Sequence, residues 1–272
     1  MDHITIIKPR KGLIGIDLKE LIRYRELLFT FIKRDIKVRY KQTVIGGLWA
    51  ILQPFLTMVV FTVFFGNMLK IESEGVPYAI FSYSGLLLWT YFTNSVSNAS
   101  NSMITNSNLI SKIYFPRILI PLSATLVGLI DYIIASIVVI GLMIYYQFLP
   151  KINIVFLPII VFFTWMLAAG IGFWFSAINV KYRDVRYAVP FFIQLLIFIT
   201  PVIYPVSIAG KYTWLLSLNP MTGFIEAHRA MILGHQIINV QLIGISIILT
   251  LLIFVTGLMY FKFVERYFAD VI

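Results

Sequence analysis

Six long apolar stretches, separated by short polar segments, dominate the pattern of this chain. A hydrocarbon core of about 30 Å requires about 20 apolar residues in a helix, and each stretch comes close to or exceeds that length. The pattern predicts an all-α integral membrane protein in which a single domain, residues 1–272, contains six transmembrane helices. The predicted spans are residues 44–69, 78–97, 118–146, 154–178, 188–204 and 240–261.

Two polar segments next to the spans are also patterned. Residues 1–43 are predicted to be cytoplasmic and to include an amphipathic interface helix at about residues 18–33, with basic residues on one face and apolar residues on the other. This helix either lies in the plane of the membrane surface or packs on the underside of the membrane domain. Residues 93–108 are rich in Asn, Ser and Thr. They serve either close helix packing or the lining of a passage.

The segment between spans five and six predicts short re-entrant outer helices. Asn219 and Pro220 suit the N-cap and first position of a helix, and Gly234 suits its C-terminal stop. About 14 residues are too few to cross a bilayer, so this helix is predicted to be re-entrant or interfacial. Glu226 and Arg229 lie on it and can pair with each other.

The distribution of basic residues predicts the orientation of the chain in the membrane. Eleven of the 22 Lys and Arg residues precede the first span, and residues 42–69 contain no ionisable side chain. If the N-terminus is cytoplasmic, the inner segments hold 18 basic residues and the outer segments four, as the positive-inside rule requires. Both termini are therefore predicted to be cytoplasmic. The net charge of +10 follows from this bias, so no nucleic-acid partner is predicted.

Composition and motifs argue against an enzyme. Hydrophobic residues make up 60% of the chain and charged residues 12%, far from the roughly 25% charged residues of soluble domains. No nucleotide-binding loop and no Gly-x-Ser-x-Gly motif occurs, so no catalytic residue is predicted. Cysteine is absent and the pair His228 and His235 is a weak metal motif, so no metal site is predicted.

Two features leave alternatives open. Asp131 is the one acidic residue deep in a predicted span, which makes it a candidate for proton coupling. A protonated or hydrogen-bonded packing role is the alternative, because no other predicted span has a basic residue at its centre. Aromatic residues make up 16% of the chain. They either line a pore that suits sugar faces or belong to the lipid-facing surface.

Three blocks of sequence resemble the type-2 ABC exporter permeases that move polysaccharides. These blocks are RDIKVRYKQTVIGGLWAILQP at residues 34–54, PFFIQLLIFITPVIYP at residues 190–205 and NPMTGFIEAHR at residues 219–229. The resemblance covers essentially the whole chain. It is closest to the membrane subunits that export O-antigen, capsule or teichoic acid chains.

The resemblance implies a transporter in the cell inner membrane with two copies of this chain and two copies of a separate ATPase, which binds ATP and Mg²⁺. This chain itself then has no cofactor. The interface helix and the connection 106–117 would dock the ATPase, spans one and five would line a pore between the two copies, and the outer helices near 207–235 would cap its exit.

Carried over by position, the resemblance also implies roles for individual residues. The candidates for ATPase docking are Arg23, Asn108, Lys112 and Arg117. The candidates for pore lining are Trp49, Phe55, Phe61, Trp89, Tyr187, Phe191, Phe198 and Tyr204. The candidates for binding a lipid pyrophosphate head group are Arg34, Lys37, Arg39 and Lys41. Anchoring to anionic membrane lipids is the alternative for this basic cluster.

The expected function is that of the transmembrane permease subunit of an ABC transporter that exports lipid-linked polysaccharide. The alternative is a proton-coupled secondary flippase or transporter that uses Asp131. A membrane-embedded transferase would need clustered acids, histidines or a metal site, which the sequence lacks. An ABC exporter of drugs or small lipids would share the fold, but the three blocks and the aromatic content argue against it.

Overall fold

The computed structural model describes residues 18–41, 46–110, 112–148, 152–234 and 239–268. Within these ranges all regular structure is helical and there is no strand, which confirms the all-α class. The α-helices of the described ranges are α1 (Leu18–Arg23), α2 (Arg25–Lys41), α3 (Leu48–Phe61), α4 (Tyr78–Thr105), α5 (Ser107–Ile110), α6 (Leu119–Tyr145), α7 (Leu157–Lys181), α8 (Val185–Ile199), α9 (Thr213–Ser217), α10 (Pro220–Leu233) and α11 (Val240–Val264).

In the described part of the chain, four continuous helical segments are long and apolar enough to cross a membrane. They are Leu48–Met68, Leu119–Tyr145, Ile152–Lys181 and Val240–Tyr267. The first joins α3 to a π-helical stretch, and the third joins a short 3₁₀ turn to α7. These segments coincide with predicted spans one, three, four and six.

The remaining two predicted spans differ from this group. The helix α4 has 28 residues, which is about 42 Å of helix, but its many polar residues lower its hydropathy. The helix α8 has only 15 residues and ends at Ile199, five residues before the predicted end of span five. Thr200 is extended there because the residue before a proline is disfavoured in helical conformation. The count of six spans therefore stays a prediction.

The helix α4 forms the centre of the bundle and packs against α3, α6, α7, α8 and α10. Every residue from Tyr78 to Trp89 is buried. The buried hydroxyls of α4 find acceptors on its own backbone: Ser84 Oγ donates to the Phe81 carbonyl at 2.8 Å, and Ser100 Oγ to the Val96 carbonyl at 2.7 Å. This lets a polar helix lie in an apolar bundle without unsatisfied hydroxyls at these positions.

The interface helix extends farther than predicted. The helix α2 continues to Lys41, eight residues beyond the predicted end at residue 33, because no proline or glycine interrupts residues 25–41. Phe31 is the only buried residue of α2, all of which the structure describes. Its ring packs edge-on against Phe115 at a centroid distance of 5.5 Å. The first half of α2 thus packs on the connection that precedes α6.

The outer helix α10 has the bounds that the sequence predicts. Asn219 Oδ1 accepts a hydrogen bond from the Met221 N–H at 3.0 Å, Pro220 occupies the first turn, and Gly234 ends the helix with a φ of 67°. Apart from its first residue and Glu226, every residue of α10 is buried. The helix therefore packs inside the protein, against α4, α7 and α11.

The helices α7 and α11 approach closely where Gly170 faces Gly257. A Cβ atom built on Gly257 would lie 2.9 Å from Trp174 Cδ1 and 3.0 Å from the carbonyl carbon of Gly170. The Trp174 ring also stacks on Tyr260 at 4.4 Å. Glycine at these positions is what permits the two backbones to touch.

We expect Gly257→Ala to push α7 and α11 apart and to lower the free energy of unfolding by about 1–3 kcal/mol, as overpacking does. Gly244→Ala is the matched control in the same helix, because no atom lies within 4 Å of a Cβ built there. Thermal unfolding of the purified protein in detergent measures both variants. Equal melting temperatures for the two variants would contradict the close contact.

Candidate functional site

The acidic side chain of the third predicted span has partners. Asp131 lies twelve residues after the first residue of α6, about 18 Å along the helix. Its Oδ2 pairs with the Arg39 guanidinium, and its Oδ1 accepts a hydrogen bond from the Tyr40 hydroxyl. The basic partner of Asp131 thus comes from α2 and not from the centre of another predicted span. The partners come from the last turn of α2, which the sequence analysis placed beyond the interface helix.

Burial determines the protonation of Tyr40. Loss of solvent, and secondarily the hydrogen bond to Asp131, raises the pKa of Tyr40 to about 12. The hydroxyl therefore stays protonated at neutral pH and remains a hydrogen-bond donor. The Arg39 and Asp131 side chains are 33% and 16% exposed, so the ion pair is partly open to solvent.

A cavity of about 480 Å³ opens between α2, α6 and the polar end of α4. Arg34 and Arg39 contribute positive charge to its wall, and Asp35 contributes negative charge. The polar wall formed by α4 consists of Asn98, Asn101, Ser102, Thr105 and Asn106. Guanidinium groups bind phosphate oxygens, whereas amides and hydroxyls both donate and accept hydrogen bonds. This cavity suits a ligand that has an anionic part next to a neutral polar part.

The other face of the same segment of α4 packs against α7. Asn179 Nδ2 donates to the Ser100 carbonyl at 2.9 Å and to Asn101 Oδ1 at 3.2 Å. A Cβ atom built on Gly172 would lie 2.6 Å from the Ala99 Cβ. Within residues 93–105 of α4, one face thus packs against α7, and the other face lines the cavity.

Two of the four predicted head-group residues reach the cavity, namely Arg34 and Arg39. Arg34 Nη2 also pairs with Asp35 Oδ1 at 2.7 Å, and its guanidinium lies over the Phe31 ring at 5.2 Å. Lys37 and Lys41 are exposed and do not belong to the cavity wall.

The four residues predicted to dock the ATPase differ in their exposure to solvent. Arg23, Asn108 and Lys112 are exposed. Arg117 is engaged within the protein, since its Nη1 donates to the Glu265 carbonyl at 2.6 Å and its backbone N–H to Glu265 Oε1 at 3.0 Å.

Arg117 therefore ties the connection before α6 to the end of α11, a role that the sequence analysis missed. Next to Lys112, the tip of this connection presents two exposed apolar side chains, Ile113 and Tyr114. Exposed aromatic side chains such as Tyr114 are enriched at contact surfaces.

The predicted pore-lining residues also differ in burial. Trp89 is only 5% exposed and packs on Phe92 within the core, so its assignment to a pore surface disagrees with the structure. It is buried because α4 lies at the centre of the bundle. Two further candidates, Phe61 and Tyr204, are partly buried. The exposed candidates are Trp49, Phe55, Tyr187, Phe191 and Phe198, which lie on α3 and α8.

A second charged cluster holds α10 in place. Arg229 is fully buried, and its Nη1 pairs with Glu226 Oε1 at 3.0 Å. Its Nη2 donates hydrogen bonds to the carbonyls of Pro201 and Val202 at 3.1 Å. The guanidinium also lies 3.7 Å from the centroid of the Phe81 ring. The predicted pairing of Glu226 and Arg229 is thus confirmed. The complete burial of Arg229 was not predicted. The sequence signal that could have indicated it is that the helix is rich in apolar residues although it is too short to cross a membrane.

His228 is buried beside this cluster. Its Nε2 lies 2.8 Å from the Tyr132 hydroxyl, and burial lowers the pKa of His228 to about 3, so the ring is neutral at physiological pH. His235, the other member of the weak metal pair, lies outside the described residues. Among the described residues, no group of three His, Asp or Glu side chains is arranged to hold a metal ion.

Comparison with known proteins gives consistent matches. The family model described as ABC-2 type transporter matches residues 26–233, more than half of the chain. The chain is 29% identical over 249 residues to the O-antigen export system permease protein RfbA of Klebsiella pneumoniae, covering 91% of this chain and 95% of that protein.

Two further relatives extend the comparison. The chain is 28% identical over 239 residues to the O-antigen export system permease protein RfbA of Myxococcus xanthus, covering 85% and 91% of the two chains. It is 26% identical over 216 residues to the polysialic acid transport protein KpsM of Escherichia coli, covering 75% and 80%. These matches confirm the resemblance found in the three sequence blocks.

We expect Arg229→Met to destabilise the protein by about 3–5 kcal/mol, because it leaves the largely buried Glu226 without its cation. Adding Glu226→Gln should recover part of this loss, since a neutral amide is less costly to bury than a carboxylate. Thermal unfolding in detergent measures the effect, with Arg183→Met, at an exposed position, as the control. A double variant no more stable than Arg229→Met would contradict the pairing.

Proposed function

Because this chain belongs to the ABC-2 type transporter family, we propose that it is the membrane permease of an ABC exporter that carries lipid-linked polysaccharide of the O-antigen type across the inner membrane. A separate ATPase subunit binds ATP and Mg²⁺ and supplies the energy. The permease contributes the passage and no catalytic residue. The relatives named for O-antigen export and polysialic acid transport support the substrate class.

The main structural support for this proposal is the 480 Å³ cavity, whose wall contains basic side chains and amides. A lipid-linked polysaccharide has a phosphate-containing head between its lipid and its sugars. Arg34 and Arg39 offer guanidinium groups for the phosphates, and the polar face of α4 offers amides and hydroxyls for the adjoining sugar. An anionic group next to a neutral polar one matches both halves of this wall.

The proposed topology has six crossings and two cytoplasmic termini. The excess of basic residues in the inner segments supports this orientation. It places the cavity, the interface helix and the connection before α6 at the cytoplasmic side. In this arrangement α8 is the shortest crossing, and the chain turns back at Thr200-Pro201 towards α9 and α10.

The exposed aromatic residues of α3 and α8 support a pore between two copies of the chain. Flat apolar rings can contact sugar faces without binding a fixed charge, which suits a long polymer that must keep moving. Two copies of the ATPase would dock on the exposed residues near Arg23 and Lys112. ATP binding and hydrolysis would then move α2 and the connection before α6 relative to the spans.

No observation favours the proton-coupled alternative. Asp131 is engaged by Arg39 and Tyr40. These contacts give the carboxylate a role in holding α2 against α6, and this role needs no proton transfer.

The proposal predicts a stable complex with the ATPase encoded next to this chain. We expect Lys112→Glu to weaken the complex roughly tenfold, because it reverses the charge at the exposed tip of the docking connection. Lys211→Glu, at the proposed outer side, is the matched control and should leave the complex intact. Affinity co-purification and the ATPase rate of the complex measure both variants.

The outcomes of this experiment differ clearly. If no ATPase co-purifies with the unmodified chain, the exporter function is wrong. If the complex forms and Lys211→Glu disrupts it as strongly as Lys112→Glu, then the orientation or the docking surface is wrong.

A further inference from the structure

The contact between Arg39 and Asp131 joins a non-spanning helix to a spanning one. Within α2, Phe31 is the only buried residue and anchors the first half of the helix. At the other end, the two last polar side chains before Lys41, those of Arg39 and Tyr40, reach Asp131 on α6. The helix α2 also packs against α6, and the ion pair between Arg39 and Asp131 adds a polar contact at the end of α2 that leads into α3.

Arg39 also lies between two cavities. It contributes to the wall of the 480 Å³ cavity together with the polar face of α4. It contributes as well to a cavity of about 230 Å³ that contains Asp131, Tyr40, Gln53 and Asn94. Asp131 does not belong to the wall of the larger cavity. A modest rotation of the long arginine side chain would therefore move its guanidinium from Asp131 towards a ligand in the larger cavity.

We propose that Asp131 is an internal competitor for Arg39, so that binding of a substrate phosphate displaces the carboxylate and loosens the end of α2 from α6, with the Tyr40 hydrogen bond as the remaining contact to Asp131. This inference rests on the proposed function, because it assigns the phosphate head of the lipid-linked substrate to the larger cavity. It makes Asp131 a residue that regulates entry without contacting the polymer.

The chemistry favours such an exchange. A guanidinium binds carboxylate and phosphate with the same bidentate geometry. A diphosphate carries more negative charge than one carboxylate. A partly exposed ion pair contributes little to stability, so a better anion can replace it. After displacement Asp131 keeps the hydrogen bond from Tyr40. The amides of Gln53 and Asn94 line the same small cavity and can solvate the carboxylate there.

The charged residues near Arg39 also permit the exchange of a carboxylate for a phosphate. Arg34, the other guanidinium of the larger cavity, already pairs with Asp35 and would approach the same phosphate. The site thus holds two arginines, each paired with an acid of this chain. A diphosphate can engage both, which a single carboxylate cannot do. This gives the cavity a preference for dianionic heads over singly charged membrane lipids.

The experiment uses the full complex of this chain with its ATPase, purified in detergent, and farnesyl diphosphate as the probe. We expect Asp131→Asn to bind the probe roughly threefold to tenfold more tightly than the unmodified chain, because the competing charge is gone. Arg39→Gln should bind the probe at least about tenfold more weakly. Asp184→Asn, at an exposed position, is the matched control and should bind like the unmodified chain.

A second readout follows the position of α2. The chain contains no cysteine, so Lys37→Cys and Ile133→Cys can carry spin labels at two exposed positions on α2 and α6. We expect the probe to lengthen or broaden the label distance in the unmodified background. Asp131→Asn should show the changed distribution without the probe. The reversed pair, Arg39→Asp with Asp131→Arg, should restore the original distance yet lose probe binding.

The outcomes separate this inference from the proposed function. If the unmodified complex binds the probe and Asp131→Asn binds it equally or more weakly, the competitor role is wrong and the ion pair is only structural. An unchanged label distance in Asp131→Asn would contradict the competitor role in the same way. If the unmodified complex does not bind the probe at all, the head-group site of the proposed function fails, and this inference fails with it. The reversed pair serves as the folding control, since it retains the ion pair.

Discussion

A bilayer interior offers no water to a polar group, so every charge or amide inside this bundle must find its partner within the protein. The structure meets much of this constraint through side-chain contacts, although Asn179 Oδ1 and Arg229 Nε are buried without a hydrogen-bond partner. Asp131 pairs with Arg39 of α2, Arg229 pairs with Glu226 and with the carbonyls at residues 201–202, and Asn179 of α7 bonds to α4. Each of these polar groups therefore fixes the position of a neighbouring element, which apolar packing alone would leave free to slide.

This constraint links α2 and α10, two of the shorter helices. Asp131 and Tyr132 are adjacent in α6, yet they contact different elements: Asp131 holds the end of α2, and the Tyr132 hydroxyl lies 2.8 Å from His228 on α10. One turn of α6 thus contacts both α2 and α10. A displacement of α6 at this turn would affect both helices, because both polar contacts start from adjacent residues of α6. Adjacency alone is not coupling, but it supplies a direct physical route for it.

The sequence predicted those features that depend on local pattern. Long apolar runs indicated the four clear spanning segments, and cap chemistry indicated the bounds of α10 through Asn219 and Gly234. It missed features that depend on tertiary contacts. The partner of Asp131 lies 92 residues away in the chain, at a helix end whose basic charge already had an explanation in the positive-inside rule. Trp89 was assigned to the pore because aromatic content says nothing about helix rotation, which packing sets. The complete burial of Arg229 was not predicted, because a charged side chain is usually exposed.

The distribution of paired and unpaired charge has a consequence for the proposed transport of a long polymer. If the passage carried a fixed charge along its length, each repeating sugar would meet it in turn, and any favourable contact would have to be broken at every step. The two charge clusters described above are neutralised within the protein, and the exposed candidates for the passage on α3 and α8 are aromatic. In the proposed transport, strong binding would then be confined to the cavity beside Arg34 and Arg39, where the anionic end of the substrate would enter once. The neutral sugars that follow meet rings and amides, whose contacts are weak and similar from one sugar to the next. An exporter of this kind would recognise the end of its substrate and tolerate the length of the chain behind it.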